Sequence, residues 1–221
     1  MKAKKKIGVI TIGQSPRIDL IPEITPYFDT NCEIIEAGAL DNLTQAEIDQ
    51  LFPKDDEVSY VSRLRNGSFA TMSKKQIVPL IQQRIDDFEQ TMDSIILLCT
   101  GTFNDLKCNK TLLFPDRMLS GLVSGVVTNE KIGVIIPIDE QMDSVGEKWN
   151  GYQVEFAVAN PYVNDTDFVQ AANQLKNSGA KYIIMDCMGY TQKHKEIVLS
   201  ETGIPVILAR SVVARVASEL S

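Results

Sequence analysis

Two apolar runs, one in each half of this chain, end in the same way. Ser94-Ile-Ile-Leu-Leu-Cys99-Thr-Gly101 and Lys181-Tyr-Ile-Ile-Met-Asp-Cys187-Met-Gly189 both stop at a cysteine that is followed two residues later by glycine. Short continuous apolar runs are the pattern of strands covered on both faces, as in a parallel sheet between helix layers. In open α/β sheets, ligands bind at the carboxyl ends of the strands. The pattern therefore predicts a parallel α/β fold and places a thiol at the binding edge of each half.

The rest of the chain alternates in the same sense. Strands are expected at Lys6–Gly13, Glu33–Gly38, Lys131–Ile138, Val154–Ala159 and Ile204–Leu208, with a shorter, more exposed one at Glu57–Ser62. Ile77, Leu80, Ile81, Ile85 and Phe88 recur at helical spacing over Ser73–Thr91, with Ser73 in position to cap. Asp165–Lys176 reads as a helix with Phe168, Val169, Ala172 and Leu175 on one face. Strands alternating with helices imply βαβ units, and the units repeat. Lys6-Ile-Gly-Val-Ile10 matches Lys131-Ile-Gly-Val-Ile135, and the two cysteine strands match each other. A short strand followed by Arg117 and an apolar helix resembles one followed by Arg210 and another helix. The expected division is 1–128 and 129–221, with the C-terminal segment 204–221 able to pack back on the first half. The first half is longer because of an insertion around residues 40–75. That insertion contains a helix with a Thr44/Glu47 capping box and a hairpin turn through Asn66-Gly67.

Composition excludes several function classes. The 221 residues are 44 % hydrophobic and 23 % charged, with a formal net charge of −7. An acidic chain lacks the clustered cations that phosphate backbones require, so nucleic acid is not an expected partner. The basic stretch Lys2–Lys6 reads as a solvated leader. No apolar run reaches the length of a membrane span, and none near the start fits a signal sequence. A cytoplasmic location is therefore expected, with Cys32, Cys99, Cys108 and Cys187 as thiols. One histidine and no C-x-x-C pair argue against a zinc site. Phosphate-loop, G-x-G-x-x-G and H-E-x-x-H motifs are absent, which favours chemistry without a cofactor or metal.

Three loops carry the candidate chemistry. Cys99 and Cys187 can act as acid and base once their pKa values approach neutrality, although a single cysteine on an apolar strand is commonly core. Thr11-Ile-Gly13-Gln14-Ser15-Pro16-Arg17-Ile-Asp19 follows the first strand at the same sheet edge. There Ser15 could cap a helix beginning at Pro16, Gln14 and Ser15 could donate to an anion, and Arg17 could bind a carboxylate bidentately. An ordinary turn with a solvated arginine is the alternative. Thr100, Gly101 and Thr102 after Cys99, and Met188, Gly189, Tyr190 and Thr191 after Cys187, offer hydroxyls and N–H groups on that edge. His194 is read as a surface histidine, and Cys32 and Cys108 as incidental. Arg63 and Arg65 are either reaching for an anion or solvated on the hairpin.

With these residues in view, the chain resembles the AroM family over essentially its whole length. The resemblance rests on Ile10-Thr-Ile-Gly-Gln-Ser-Pro-Arg17 with Asp19 and Pro22-Glu23, Ser62-Arg-Leu-Arg-Asn-Gly67, Leu98-Cys-Thr-Gly101 with Phe103, and Met185-Asp-Cys-Met-Gly-Tyr190. AroM proteins are similar to the aspartate/glutamate/hydantoin racemase superfamily. The resemblance implies two pseudo-symmetric, flavodoxin-like α/β domains with parallel sheets and a site in the cleft between them. It also implies a cofactor-independent acid/base pair of cysteines, here Cys99 and Cys187, and a homodimer. Arylmalonate decarboxylase, a relative, keeps one cysteine, whereas this chain keeps both. The first loop is not the Asp-Ser-Gly type of glutamate racemases, and Met-Gly-Tyr replaces Thr-His after the second cysteine. Those departures favour a small carboxylic acid without an ammonium group. The expected function is a racemase or isomerase acting on such an acid. The alternatives are a carboxylate-binding regulatory protein on the same fold and, resting only on the insertion, a partner-binding scaffold.

Overall fold

The computed structural model describes residues 4–54 and 56–220; Lys2 and Ala3 of the basic stretch lie outside the described residues. The first sheet is built from β1 (Lys5–Thr11), β2 (Cys32–Gly38), β5 (Ser94–Leu98) and β6 (Thr111–Leu113), in the order β2-β1-β5-β6. The second contains β7 (Ile132–Ile136), β8 (Val154–Val158), β9 (Tyr182–Met185) and β10 (Val206–Leu208), in the order β8-β7-β9-β10. Every pairing within both sheets is parallel. The two orders are the same when the strands are matched in sequence, so the internal repeat is a repeat of topology. Two pseudo-symmetric α/β units follow, and their central strands β5 and β9 are the two that run into the cysteines.

Between the strands lie α1 (Ile21–Ile24), α2 (Gln45–Asp49), α3 (Lys74–Glu89), α4 (Pro115–Val126), α5 (Met142–Lys148), α6 (Thr166–Asn177), α7 (Gln192–Thr202) and α8 (Ala209–Glu219). Gly8 and Gly133 occupy matching places in β1 and β7. A Cβ at either would collide with a helix side chain, Phe88 of α3 or Leu175 of α6. In both halves a glycine thus lets the helix approach the central sheet closely. The halves join through a shared core in which Leu119 and Val123 of α4 pack with Val213, Ala214 and Ala217 of α8. Helix α8 also contacts α1 and the turn at Thr25–Tyr27.

The insertion is α2 plus an antiparallel hairpin, β3 (Ser59–Arg63) and β4 (Phe69–Ser73). Thr44 and Glu47 form the capping box, and Gly67 turns the hairpin at φ 93°. The expectation of an exposed third strand is corrected: Ser59, Tyr60, Val61 and Ser62 are all buried. Tyr60 packs on Phe103, with ring centroids 5.2 Å apart. Gln141 Nε2, from the second half, donates to the Ser59 carbonyl at 3.0 Å. Phe69 stacks on Tyr162 of the second half. The hairpin therefore spans the two halves over the cleft.

Candidate active site

Both cysteines line one cavity of about 30 Å³ between the halves, together with Arg17, Tyr60, Ser62, Thr100, Gln141, Tyr162, Asp186 and the Cys187 turn. The two turns are built alike. The Gly101 N–H faces Cys99 Sγ at 3.4 Å, and the Gly189 N–H faces Cys187 Sγ at 3.3 Å. Each glycine is also roofed by a tyrosine. A Cβ on Gly101 would lie 2.6 Å from the Tyr60 hydroxyl oxygen and closer still to its ring, and one on Gly189 would lie 2.5 Å from the Tyr162 hydroxyl oxygen. This explains the cysteine-x-glycine spacing: the second position must be bare for an aromatic ring to close on the thiol.

Each thiol also sits near a cation supplied by the other half. Arg17, from the loop after β1, acts on Cys187; Lys148, at the end of α5, acts on Cys99. Both cations are held by carboxylates. Arg17 Nε and Nη2 donate to Asp19 at 2.8 and 2.7 Å, and Nη1 donates to the Thr11 hydroxyl at 3.1 Å. Lys148 Nζ donates to Asp186 Oδ1 at 2.7 Å and to the Thr100 carbonyl at 2.9 Å. Trp149 Nε1 donates to the other oxygen of Asp186 at 2.8 Å, and the Thr100 hydroxyl donates to the Asp186 carbonyl at 3.0 Å. A buried ion requires such compensation, because desolvation alone would cost several kcal/mol per charge.

Burial of both sulfurs among protein atoms pushes their thiols up, to about 12 at Cys99 and about 11 at Cys187. The N–H of the following glycine and the facing cation oppose that rise without cancelling it. The expectation of thiols tuned toward neutrality is therefore corrected. No helix begins directly after Cys99, and α7 starts only at Gln192, so neither sulfur receives a helix N-terminus. Burial likewise raises Tyr60 and Tyr162, so both phenols stay protonated.

Of the residues expected in the site, Arg17, Cys99, Thr100, Gly101, Cys187, Met188 and Gly189 line the cavity. Thr11 stands behind it as the acceptor for Arg17. Gln14 and Ser15 are corrected. Ser15 gives both its N–H and its hydroxyl to Asp41, at 2.7 and 2.6 Å, and caps no helix. Gln14 donates to the Leu40 carbonyl and accepts from the Arg65 N–H. Arg65 itself pairs with Asp41 and the Ser15 carbonyl, so the loop and the hairpin saturate one another. Thr102 lines a neighbouring pocket with Lys74 and Lys148. Tyr190 is core: it is fully buried, donates to the Ala159 carbonyl at 2.9 Å and packs edge-on against Phe168. His194 is also buried, stacked on Phe168 at 4.1 Å, and its Nδ1 accepts the Thr191 N–H. The bidentate face of Arg17 is taken by Asp19. Three of the five guanidinium N–H groups are used, which leaves one on each terminal nitrogen for a ligand.

The sequence did not point to Lys148, Trp149, Tyr60, Tyr162 or Gln141. No motif surrounds them, and only the fold brings them to the cleft. Asp186 and Asp19 did carry a signal, as acids beside a candidate cysteine and a candidate arginine.

Solved structures of similar fold place the architecture in a class. A glutamate racemase from Bacillus anthracis superposes with a TM-score of 0.68 at 15 % identity, covering 99 % of this chain and 82 % of that one. An aspartate racemase from Picrophilus torridus gives 0.59 at 13 %, covering 95 % and 91 %. Unliganded arylmalonate decarboxylase gives 0.58 at 11 %, covering 98 % and 92 %. The fold is thus the two-domain, flavodoxin-like fold of the amino-acid racemases and their relatives. The family model described as AroM protein matches residues 7–221, and the chain belongs to that family. No curated protein matches the sequence. No helix among the described residues is long and apolar enough to cross a membrane.

Proposed function

We propose that this protein is a cofactor-independent racemase or isomerase that acts on a small carboxylic acid through Cys99 and Cys187. The observation carrying this reading is the placement of two thiols on equivalent turns, facing one cavity from opposite halves. One thiolate takes a proton from the carbon next to the carboxylate, and the other thiol returns a proton to the opposite face. The two free N–H groups of Arg17 hold the carboxylate, and the N–H groups around Thr100 and Gly189 stabilise the enediolate charge as an oxyanion hole does. The structural neighbours include racemases and a decarboxylase, so they support the class of intermediate and leave the outcome to this chain's own two thiols. Keeping both favours return of a proton over loss of carbon dioxide.

Solvent deuterium exchange at the α-carbon of a panel of amino, hydroxy and dicarboxylic acids tests the reading. Exchange is expected with at least one acid, and Cys99→Ser and Cys187→Ser should each slow it by about 10²–10⁴. Full turnover in either variant, or no exchange across the panel, would sink it. A second reading, a carboxylate-binding regulatory protein, is favoured by the raised thiols. It predicts ligand-dependent thermal stabilisation without exchange.

A further inference from the structure

The helices that follow the last strand of each sheet begin at matching places. Helix α4 starts Pro115-Asp116 and α8 starts Ala209-Arg210. Aligned on their starts, Asp116 and Arg210 occupy the same second position, which corrects the sequence match of Arg117 with Arg210. Arg117 is exposed and stacks on Phe114. Asp116 and Arg210 are both buried, each beneath its own cysteine turn. Arg210 donates to the Met188 carbonyl at 3.0 Å and the Gly189 carbonyl at 3.2 Å, and it reaches the Asp19 carbonyl and Glu23. Asp116 meets the Thr102 hydroxyl, and its Oδ1 is buried with no hydrogen-bond partner among the described residues. Pseudo-symmetry has thus been broken at one position, where a cation underlies one thiol turn and an acid underlies the other.

We propose that this substitution of charge makes the two thiols unequal: Cys187, above Arg210, is the resting base, and Cys99, above Asp116, is the resting proton donor. Arg210 and Asp116 act as positioning residues that bias the sulfurs. The proposal rests on the two-thiol reading above and adds its direction. Cys187 as thiolate takes the α-proton and becomes a thiol, while Cys99 gives its own proton to the opposite face and becomes the thiolate. Proton exchange with solvent then restores the starting pair.

All charged and titratable neighbours of the two sulfurs enter the balance. Cys187 feels Arg17, Arg210, Asp186, Tyr162 and Tyr190. Cys99 feels Cys187, Lys148, Asp116 and Tyr60. Two cations offset by Asp186 face the first thiol, and one cation offset by Asp116 faces the second, so the first keeps the more positive surroundings.

The test measures iodoacetamide alkylation at each cysteine by peptide mass spectrometry, from about pH 7 to 9, with Cys32 and Cys108 as internal references. A thiol lower by about one unit carries about tenfold more thiolate, partly offset by its lower nucleophilicity. Cys187 should therefore react about three- to tenfold faster than Cys99. Asp116→Asn should speed Cys99 and leave Cys187 unchanged, whereas Arg210→Gln should slow Cys187 and Arg210→Lys should partly restore it. A faster Cys99 in the unaltered protein, or an Asp116→Asn variant whose Cys99 rate is unchanged, overturns the proposal. The two rates in the unaltered protein decide between these outcomes even if a variant fails to fold. The readout is protonation rather than turnover, so unequal thiols in a protein that exchanges no substrate would retain this inference while removing the proposed reaction.

Discussion

At Cys99 the roof is Tyr60, a buried ring wedged against Phe103, and the nearby ions are Lys148 and Asp116. At Cys187 the roof is Tyr162, a half-buried ring at the cleft's edge, and the nearby cations are Arg17 and Arg210. The backbone of the two turns, cysteine to glycine with an N–H on the sulfur, is shared. Duplication explains the shared part, since equivalent strands in equivalent sheets deliver equivalent turns. The difference lies mostly in side chains contributed from elsewhere, namely the hairpin, α5, the first loop, the loop after β8 and the final helix of each half, together with Asp186 beside Cys187 where Leu98 stands beside Cys99. Geometry is thus inherited from the repeat, while electrostatics and access are set half by half.

The roofs offer the strongest way to break that comparison. Gly101→Ala places a methyl within 2.6 Å of Cε1, Cζ and the hydroxyl oxygen of the buried Tyr60 ring, which is packed on Phe103. It should destabilise the protein by about 1–3 kcal/mol and close the cavity. Gly189→Ala meets the Tyr162 hydroxyl oxygen at 2.5 Å but Tyr162 Cζ and Pro161 Cγ only at 2.9 Å, a looser fit than at Gly101, so its cost should be smaller. Urea denaturation of both variants checks this, and equal costs would mean that the two roofs are equally rigid.

The thiols offer the next. Both are raised above an ordinary cysteine, Cys99 further than Cys187, so at neutral pH the reactive thiolate is a minor form, held chiefly by Cys187, and it grows as pH rises. Exchange activity should climb about tenfold per unit between about pH 7 and 9, and a flat profile would show that ligand binding itself lowers one thiol. The smallest effect lies away from the cleft. Burial holds the His194 imidazole below its ordinary value, so the unfolded chain takes up that proton first as pH falls. The stability it contributes is full above about pH 6.5 and is lost as pH drops further. Urea midpoints near pH 5 and pH 7 should differ by less in His194→Gln than in the unaltered protein.

The parallel strands, the repeat, the capping box at Thr44 and the hairpin at Gly67 were all legible in the sequence, because each is written in local period or turn chemistry. The placement of Cys99, Cys187 and Arg17 at one edge followed from strand direction. What could not be read was partnership over distance. Ser15 looked like a cap because Asp41, which occupies both its donors, lies 26 residues away. Tyr190 looked like a ligand group because its acceptor, the Ala159 carbonyl, lies in another loop of the sheet edge. Lys148 carried no motif at all, yet the fold brings it onto the Cys99 turn.

A crystal structure with a turned-over carboxylic acid bound would test the two-thiol site most directly. One ligand carbon should lie in contact with both sulfurs from opposite faces, with the sulfurs about 7–10 Å apart and the carboxylate on the terminal nitrogens of Arg17. A ligand seated against one sulfur only, or bound outside this cleft, would contradict it.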